Sequence, residues 1–264
     1  MHKSTKIRFF YILNIIYNTL FIGKVFNHYE TLQSTNILAL EMLAKKPISE
    51  GTIFSTFAQT DGRGQVNNKW ESEPLKNISL SVVLKPDFLP VQKYFLLTQA
   101  IALGIYDFIR LYVSEEVYIK WPNDIYIGGE KVAGILIQNS IQSDVFQYSV
   151  VGIGININQA IFRSTAPNPT SIFLKINKEI PLWACIEYLC KYLENRYLQL
   201  KSGQYNVLRE DYHEVLYRIN EWHFFESNNE RFEGKILRVL DDGFLQMETK
   251  DGIVVFNFKE VKFV

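Results

Sequence analysis

Five short clusters in this 264-residue chain combine residue types that could do chemistry. Ser34-Thr35-Asn36 sets two hydroxyls and an amide at a helix start, and Gln59-Thr60-Asp61-Gly62-Arg63-Gly64-Gln65 is a polar, glycine-rich stretch with one guanidinium. Lys120-Trp121-Pro122-Asn123-Asp124 clusters a cation, an amide and a carboxylate around a proline. Lys131 opens the apolar run Val132-Ala133-Gly134-Ile135-Leu136, and Gly152-Ile153-Gly154 leads to Asn156. Glycines beside cations suggest phosphate binding, yet the common phosphate loops are excluded. The third glycine of a dinucleotide fingerprint would fall on Ile157, with no helix pattern after it, and no GxxxxGK[ST] occurs anywhere.

Each remaining cluster keeps two readings at this point. The 59–65 stretch joins two strands and could fold over an anion, or it is an ordinary long hairpin loop. Pro122 cannot donate to a ladder and pushes Trp121 to an extended conformation, so the strand must break there. That break presents Lys120, Asn123 and Asp124 at a site, or it is a sheet edge with a tryptophan in the core. A turn at Gly128-Gly129 would pair Ile127 with Glu130, Tyr126 with Lys131 and Asp124 with Ala133. Lys131 then lies one diagonal step from Asp124 at the rim of a partly buried face, where its charge needs an anion. Asp124 supplies one as a structural ion pair; a substrate carboxylate or phosphate is the alternative.

The elements that must position these residues follow from periodicity. Residues 34–45 open with good N-cap types and place Ile37, Leu40, Leu43 and Ala44 on one stripe, predicting a surface helix. Residues 51–57, 78–84, 117–120, 131–138 and 146–155 read as strands. The 91–111 stretch is apolar nearly all round, as a helix buried on a sheet would be, and 182–201 and 205–219 are further helical blocks. Most neighbouring strands are too close in sequence for crossover helices, so the sheet should be mainly antiparallel with helices on one face. Beyond residue 219, short strands at 222–226, 231–240, 244–249 and 253–258 are divided by Asn228-Asn229, Asp242-Gly243 and Asp251-Gly252, which predicts a small all-β barrel.

Composition bounds the function class. With 47% hydrophobic and 14% aromatic residues the chain can bury a substantial core. Twenty-eight basic residues balance 28 acidic ones, which argues against bulk-charge binding to nucleic acid or to a membrane surface. Cys185 and Cys190, five apart on a helical pattern, form neither a disulfide framework nor a zinc knuckle and point to a reducing, cytoplasmic setting. Lys3, Lys6 and Arg8 before the apolar run 9–22 imitate a signal peptide, but Asn14 and Asn18 interrupt the run and no small-residue cleavage site follows. An extension packed on the body is expected instead.

In order and spacing, Ser34-Thr35-Asn36, Gln59-Thr60-x-Gly62-Arg63-Gly64, Lys120-Trp121-Pro122-Asn123-Asp124, Lys131-x-Ala133-Gly134-Ile135-Leu136 and Gly152-x-Gly154-x-Asn156 resemble the biotin protein ligases. The resemblance runs from about Val25 to the C-terminus. It implies an α+β fold: a catalytic domain similar to class II aminoacyl-tRNA synthetases, with a mixed, mainly antiparallel sheet, then an SH3-like barrel. The expected division is an extension at 1–24, a catalytic domain at 25–219 and the barrel at 220–264. The implied reaction joins biotin and MgATP into biotinyl-5'-adenylate, then transfers biotin to a lysine of a biotin carboxyl carrier protein.

The resemblance also implies roles. Lys131 matches the lysine that contacts the biotin carboxylate and the adenylate phosphate, and Arg63, with the backbone of Gly62 and Gly64, supplies donors from the loop. Ser34, Thr35, Asn36 and Gln59 match biotin-binding positions, whose hydroxyls and amides suit a ureido ring. Trp70, Trp121 and Asn156 fall where contacts to the adenylate are expected; Gln65, Asn123, Gly134, Gly152 and Gly154 belong to the same binding set. Lys120 and Asp124 are candidate catalytic polar groups, and no metal-ligating side chains are predicted. The 62–69 loop, with little to anchor it, is expected to be mobile when empty and to close over ligand.

Departures from the family pattern are Gln65 where many members carry arginine, and Asn67 and Leu75 where they carry glycine. The residues before position 25 are too few for the winged helix-turn-helix of bifunctional relatives, so a monofunctional enzyme without nucleic-acid or membrane partners is expected, with monomer and homodimer both open. A lipoate-attaching ligase of the same architecture and a non-enzymatic biotin-binding regulator are the competing readings. The Ser34-Thr35-Asn36 cluster together with the motifs at 120–124 and 131–136 argues against the first, and intact Lys131 and Arg63 against the second.

Overall fold

Alternation of side chains along seven strands gives the main sheet one oily face and one partly polar face. The computed structural model describes residues 18–65, 68–164 and 167–264. The sheet consists of β1 (Phe26–Tyr29), β2 (Ile53–Thr56), β3 (Ile78–Leu84), β4 (Val117–Lys120), β5 (Asp124–Ile127), β6 (Glu130–Gln142) and β7 (Val145–Ile155). Their spatial order is β1-β2-β3-β7-β6-β5-β4. Only the β1–β2 pair is parallel, which bears out the mainly antiparallel expectation.

In β3, Ile78, Leu80, Val82 and Leu84 enter the large core, so Ser79, Ser81 and Val83 must face the other way. Likewise Ala133 and Ile135 of β6, and Val151, Ile153 and Ile155 of β7, point into that core. Gly134, Leu136, Gly152 and Gly154 are left on the opposite face. Helix α2 (Phe95–Ile109) covers the oily face and is itself covered by α4 (Leu182–Lys201), which explains a helix apolar nearly all round. Gly104 permits the close helix crossing, since a Cβ there would lie 3.0 Å from Leu193 Cα. The short α3 (Ile172–Ile176) is capped by the Ser171 hydroxyl, which accepts from Leu174 N at 3.2 Å.

Helix α1 (Thr35–Lys45) lies on the other face, over β2, β3 and β7, so the expectation of helices on one face is corrected. Its buried residues are Thr35, Asn36 and Ala39, whereas Ala44 is exposed. The helix turns a polar N-terminal turn onto the sheet because Ser81 and Gly152 give it partners and room. Two helix bounds also differ. The 91–111 block starts as a 3-10 turn at Val91–Lys93, and α5 (Tyr205–Glu214) stops short of residue 219. The chain leaves that helix because β4 recruits its backbone: Ile119 N donates to Val215 O and Tyr217 N to Ile119 O, both at 2.9 Å.

The second sheet contains β8 (Trp222–Ser227), β9 (Glu230–Val239), β10 (Leu245–Thr249), β11 (Gly252–Phe256) and β12 (Lys262–Phe263), all antiparallel, in the order β11-β10-β9-β8-β12. It shares its core with the first. Trp121 Nε1 donates to Gly243 O at 2.8 Å, and the Phe258 ring sits 5.5 Å from Trp121 and 6.1 Å from Phe95. At the other end of the chain the amides of Leu20, Phe21 and Ile22 donate to the buried Glu194 carboxylate at 2.5, 2.7 and 2.9 Å. Most of the 9–22 run lies outside the described residues. Among them, no helix is long and apolar enough to cross a membrane. Both cysteines are free and buried in α4, and burial pushes the Cys185 thiol up to about 11.

Two predictions arise here. Leu75 is 69% exposed yet held at φ 64, a backbone region that a side chain disfavours. Leu75→Gly should therefore stabilise the protein by about 0.5–1 kcal/mol, the strain relieved exceeding the added freedom of the unfolded chain. A melting temperature that falls would show the strain to be illusory. His28 is packed 4.6 Å from both Phe57 and Trp183, its Nδ1 is 2.8 Å from Ser55 Oγ, and burial lowers its pKa from 6.5 to about 4. The unfolded chain takes up this proton below about pH 6.5 and the folded one only near 4. Its contribution to stability is thus complete above 6.5 and is lost progressively down to 4. His28→Phe should flatten that part of the stability profile in urea titrations across pH.

Candidate functional site

On the α1 face, the start of that helix, the 59–70 loop and strands β6 and β7 enclose a cavity of about 250 Å³. Glycines clear its floor. A Cβ on Gly152 would come within 2.3 Å of Asn36 Oδ1, and one on Gly154 within 2.5 Å of the Trp70 ring. Gly134, paired with Gly154 across the strands, would meet the same indole at 3.1 Å. The GxG element therefore serves close approach by two side chains, and Trp70 lies directly against the sheet backbone.

One end of the cavity is neutral and polar. Ser34 holds the N-cap position of α1, makes no side-chain capping bond and lines the cavity. Thr35 N donates to Gln59 Oε1 at 3.0 Å. Ser81 Oγ lies 2.8 Å from Thr35 Oγ1 and 2.5 Å from Asn36 Oδ1, while Asn36 Nδ2 donates to Leu136 O and Gln138 Oε1 at 3.2 and 3.0 Å. Asn36 is thereby fixed in orientation. The buried hydroxyl of Ser79, which also lines the cavity, has no partner among the described residues, and neither does Trp70 Nε1. In a buried setting such orphans fit groups that a ligand supplies.

The other end is charged. The β5–β6 turn at Gly128-Gly129 pairs Ile127 with Glu130 and Tyr126 with Lys131 as expected, but a bulge then shifts the register so that Asp124 faces Gly134 rather than Ala133. The cause lies in Lys131, whose backbone turns away to another segment: its N–H donates to Asn168 O at 2.7 Å and its carbonyl accepts from Thr170 N at 2.8 Å. Lys131 Nζ meets Asp124 Oδ1 at 2.6 Å, an ion pair whose angles are not those of a hydrogen bond, and stands 5.6 Å from the Trp70 ring centre. Arg63, Gly64, Gln65, Asn68 and Lys69 line the cavity from the loop.

The loop closes on itself. Trp70 N donates to Gly62 O at 2.8 Å, Gly64 N to Asn68 O at 2.7 Å, and Arg63 bridges Lys69. A Cβ on Gly62 would lie 2.4 Å from Trp70 O, so its role is closure. Asn67 lies outside the described residues. Just beyond, burial would raise the Glu71 carboxyl, but hydrogen bonds from Ser164, Arg163 and Gln159 outweigh it and hold the group below the usual range. That clasp fixes the chain leaving Trp70.

Several candidates sit away from the cavity. Trp121 is 3% exposed and packs on Phe258, so it anchors the second sheet and does not line the site. Lys120 Nζ donates to Tyr126 Oη at 3.0 Å and lies 4.8 Å from the rings of Tyr126 and Phe263; burial lowers its pKa despite Asp124 nearby. Asn156 Nδ2 donates to Thr170 O at 2.9 Å, and its Oδ1 is buried without a partner among the described residues. Asn123 lines the cavity and also donates to Ile135 O at 2.6 Å. Sequence reasoning missed Ser79, Ser81, Asn68, Lys69 and Lys259. The two serines were legible from the alternation in β3; nothing in the sequence pointed to Lys259, which reaches the cavity from the second sheet.

The chain is similar to several known proteins. Residues 29–156 match the biotin/lipoate A/B protein ligase family. The bifunctional ligase/repressor BirA of Bacillus subtilis is 30% identical over 241 residues, covering 88% of this chain and 72% of that one. A biotin--[acetyl-CoA-carboxylase] ligase of Mycobacterium tuberculosis is 32% identical over 143 residues, 53% of this chain and 51% of that one. In fold, the chain is similar to the biotin protein ligase of Aquifex aeolicus solved with biotin and ATP, with a TM-score of 0.75 at 22% identity over 91% of this chain and all of that one.

Proposed function

The chain belongs to the biotin/lipoate A/B protein ligase family, and we propose from its cavity that it activates biotin with ATP and joins it to a lysine of a biotin carboxyl carrier protein. The observation that carries this reading is the division of one cavity into a neutral polar end and a cationic end. Asn36 sits over Gly152 and Leu136, Trp70 over Gly134 and Gly154, and Lys131 beyond. The first two positions are two residues apart along the strands, roughly 7 Å. Biotin has the matching order of groups: a ureido ring with donors and an acceptor, an apolar body, and a carboxylate.

In the first step a biotin carboxylate oxygen attacks the α-phosphorus of ATP, and the bond to pyrophosphate breaks. Two anions must meet, so fixed cations lower the barrier. Lys131 supplies one, kept in place by Asp124, and Arg63 with the loop amides supplies further donors. In the second step a lysine amine attacks the acyl carbon of biotinyl-5'-adenylate, AMP leaves, and the nitrogen loses a proton to become an amide. Ser34, Thr35, Asn36, Gln59 and Ser79 hold the ureido ring; Trp70 covers the body of the ligand. Asp124 is the carboxylate lining the cavity, and among the described residues no group of three acidic, histidine or cysteine side chains could hold a metal. Mg2+ would therefore enter on the phosphate oxygens of the nucleotide.

We assign the adenylating domain to 25–219 and the SH3-like domain to 220–264. The two free, buried thiols suit a reducing compartment, and we place the enzyme in the cytoplasm. The neutral polar end also separates biotin from lipoate, whose dithiolane ring would leave the buried Ser79 hydroxyl, which has no partner among the described residues, unpaired. The test is pyrophosphate release with ATP and either acid. Release that depends on biotin supports the reading; equal release with lipoate would defeat it.

A further inference from the structure

We propose that Lys259, carried by the second sheet, binds the polyphosphate of the nucleotide and so completes the cavity from outside the main sheet. This rests on ATP being a substrate. Lys259 lies in the turn between β11 and β12 and lines the cavity together with Arg63, Gln65, Lys131 and Asp124. No ion pair or hydrogen bond of its side chain occurs among the described residues, and the same holds for Arg63. The remaining cations of the cavity have partners: Lys131 has Asp124 at 2.6 Å, and Lys69 has Asp61 at 3.6 Å.

Charge accounting identifies the ligand class. Four cations line the cavity and Asp124 is the carboxylate facing them. A biotin carboxylate or the mixed-anhydride phosphate of the adenylate brings a single negative charge, which Lys131 already meets. Arg63 and Lys259 then remain for further phosphate oxygens, which the β- and γ-phosphates of ATP provide and AMP lacks.

The backbone around Lys259 is built to hold it there. Its φ is 70, a conformation that a side-chain-bearing residue rarely adopts and that tends to persist where surrounding contacts over-determine it. Those contacts are present. Phe258 is wedged between Phe95 and Trp121, Phe258 N donates to Asn257 Oδ1 at 2.7 Å, and Asn257 N donates to Glu260 Oε2 at 2.7 Å. A glycine would fit this turn without strain, so the presence of lysine asks for a use of its amine. Gln65, lining the same cavity with a neutral amide, leaves room for a cation from elsewhere.

The experiment measures binding of a non-hydrolysable ATP analogue and of AMP by calorimetry to the full chain and to Lys259→Ala, Lys259→Gly and Lys259→Arg. The alanine and glycine variants should weaken the analogue about tenfold while changing AMP by less than twofold, and arginine should restore most of the loss. Lys259→Gly should melt no lower than the parent, because it relieves the positive φ. An unchanged analogue affinity in Lys259→Ala would overturn the proposal, as would equal weakening of AMP and the analogue, or a loss that tracks a lowered melting temperature. If the parent binds the analogue but releases no pyrophosphate with biotin, the ligase reading fails while the role of Lys259 is judged on the binding data.

Discussion

Replacing Lys131 with methionine should leave a folded protein that forms adenylate at least about 100-fold more slowly, the scale of removing one preorganised electrostatic donor. Methionine keeps the apolar stem against Trp70 but removes the charge that meets both anions. It also leaves Asp124, with its side chain only 20% exposed, without its cation. Some stability is therefore lost, and Lys131→Met with Asp124→Asn separates the two effects. The double variant should recover melting temperature without recovering rate, as read by pyrophosphate release at saturating biotin and ATP. A single variant that melts like the parent and turns over near its rate would remove Lys131 from the chemistry.

The second large effect is expected in stability. Trp121→Ala removes a 3% exposed indole that contacts Phe258 and donates to Gly243 O at 2.8 Å, so unfolding in urea should show a loss of about 3–5 kcal/mol. Because Phe258 precedes Lys259, nucleotide affinity should fall as well, whereas Trp121→Phe should retain most of both. A stability loss below about 1 kcal/mol, with nucleotide affinity still impaired, would return Trp121 to the substrate-contacting role that the family resemblance suggested.

The contrast between these two residues shows what sequence reading reaches. Lys131 and Asp124 are close in sequence and joined by one turn, so hairpin geometry brought them together even though the bulge moved Asp124 opposite Gly134. The bulge itself was not legible, because it depends on Asn168 and Thr170 pairing with the Lys131 backbone, a contact between distant segments. Trp121 sits in the same motif as Asn123 and Asp124, but the turn between β4 and β5 sends it into the core shared with the second sheet. The strands of β3, β6 and β7 were legible because their period of two is local. The face taken by α1 was not, since the apolar stripe of Ile37, Leu40 and Leu43 outweighed Thr35 and Asn36 until Ser81 appeared as their partner. Lys259 gave no local signal: one lysine in an exposed turn is chemically ordinary until the fold brings it to the cavity that Arg63 also lines.

The central claim is most directly tested by incubating the chain with biotin, MgATP and a biotin carboxyl carrier domain, then weighing the intact carrier. The account predicts a gain of one biotinyl group, dependent on ATP and abolished when the acceptor lysine of the carrier is replaced by arginine. A carrier whose mass stays unchanged, or that gains a lipoyl group in preference when both acids are supplied, would contradict it.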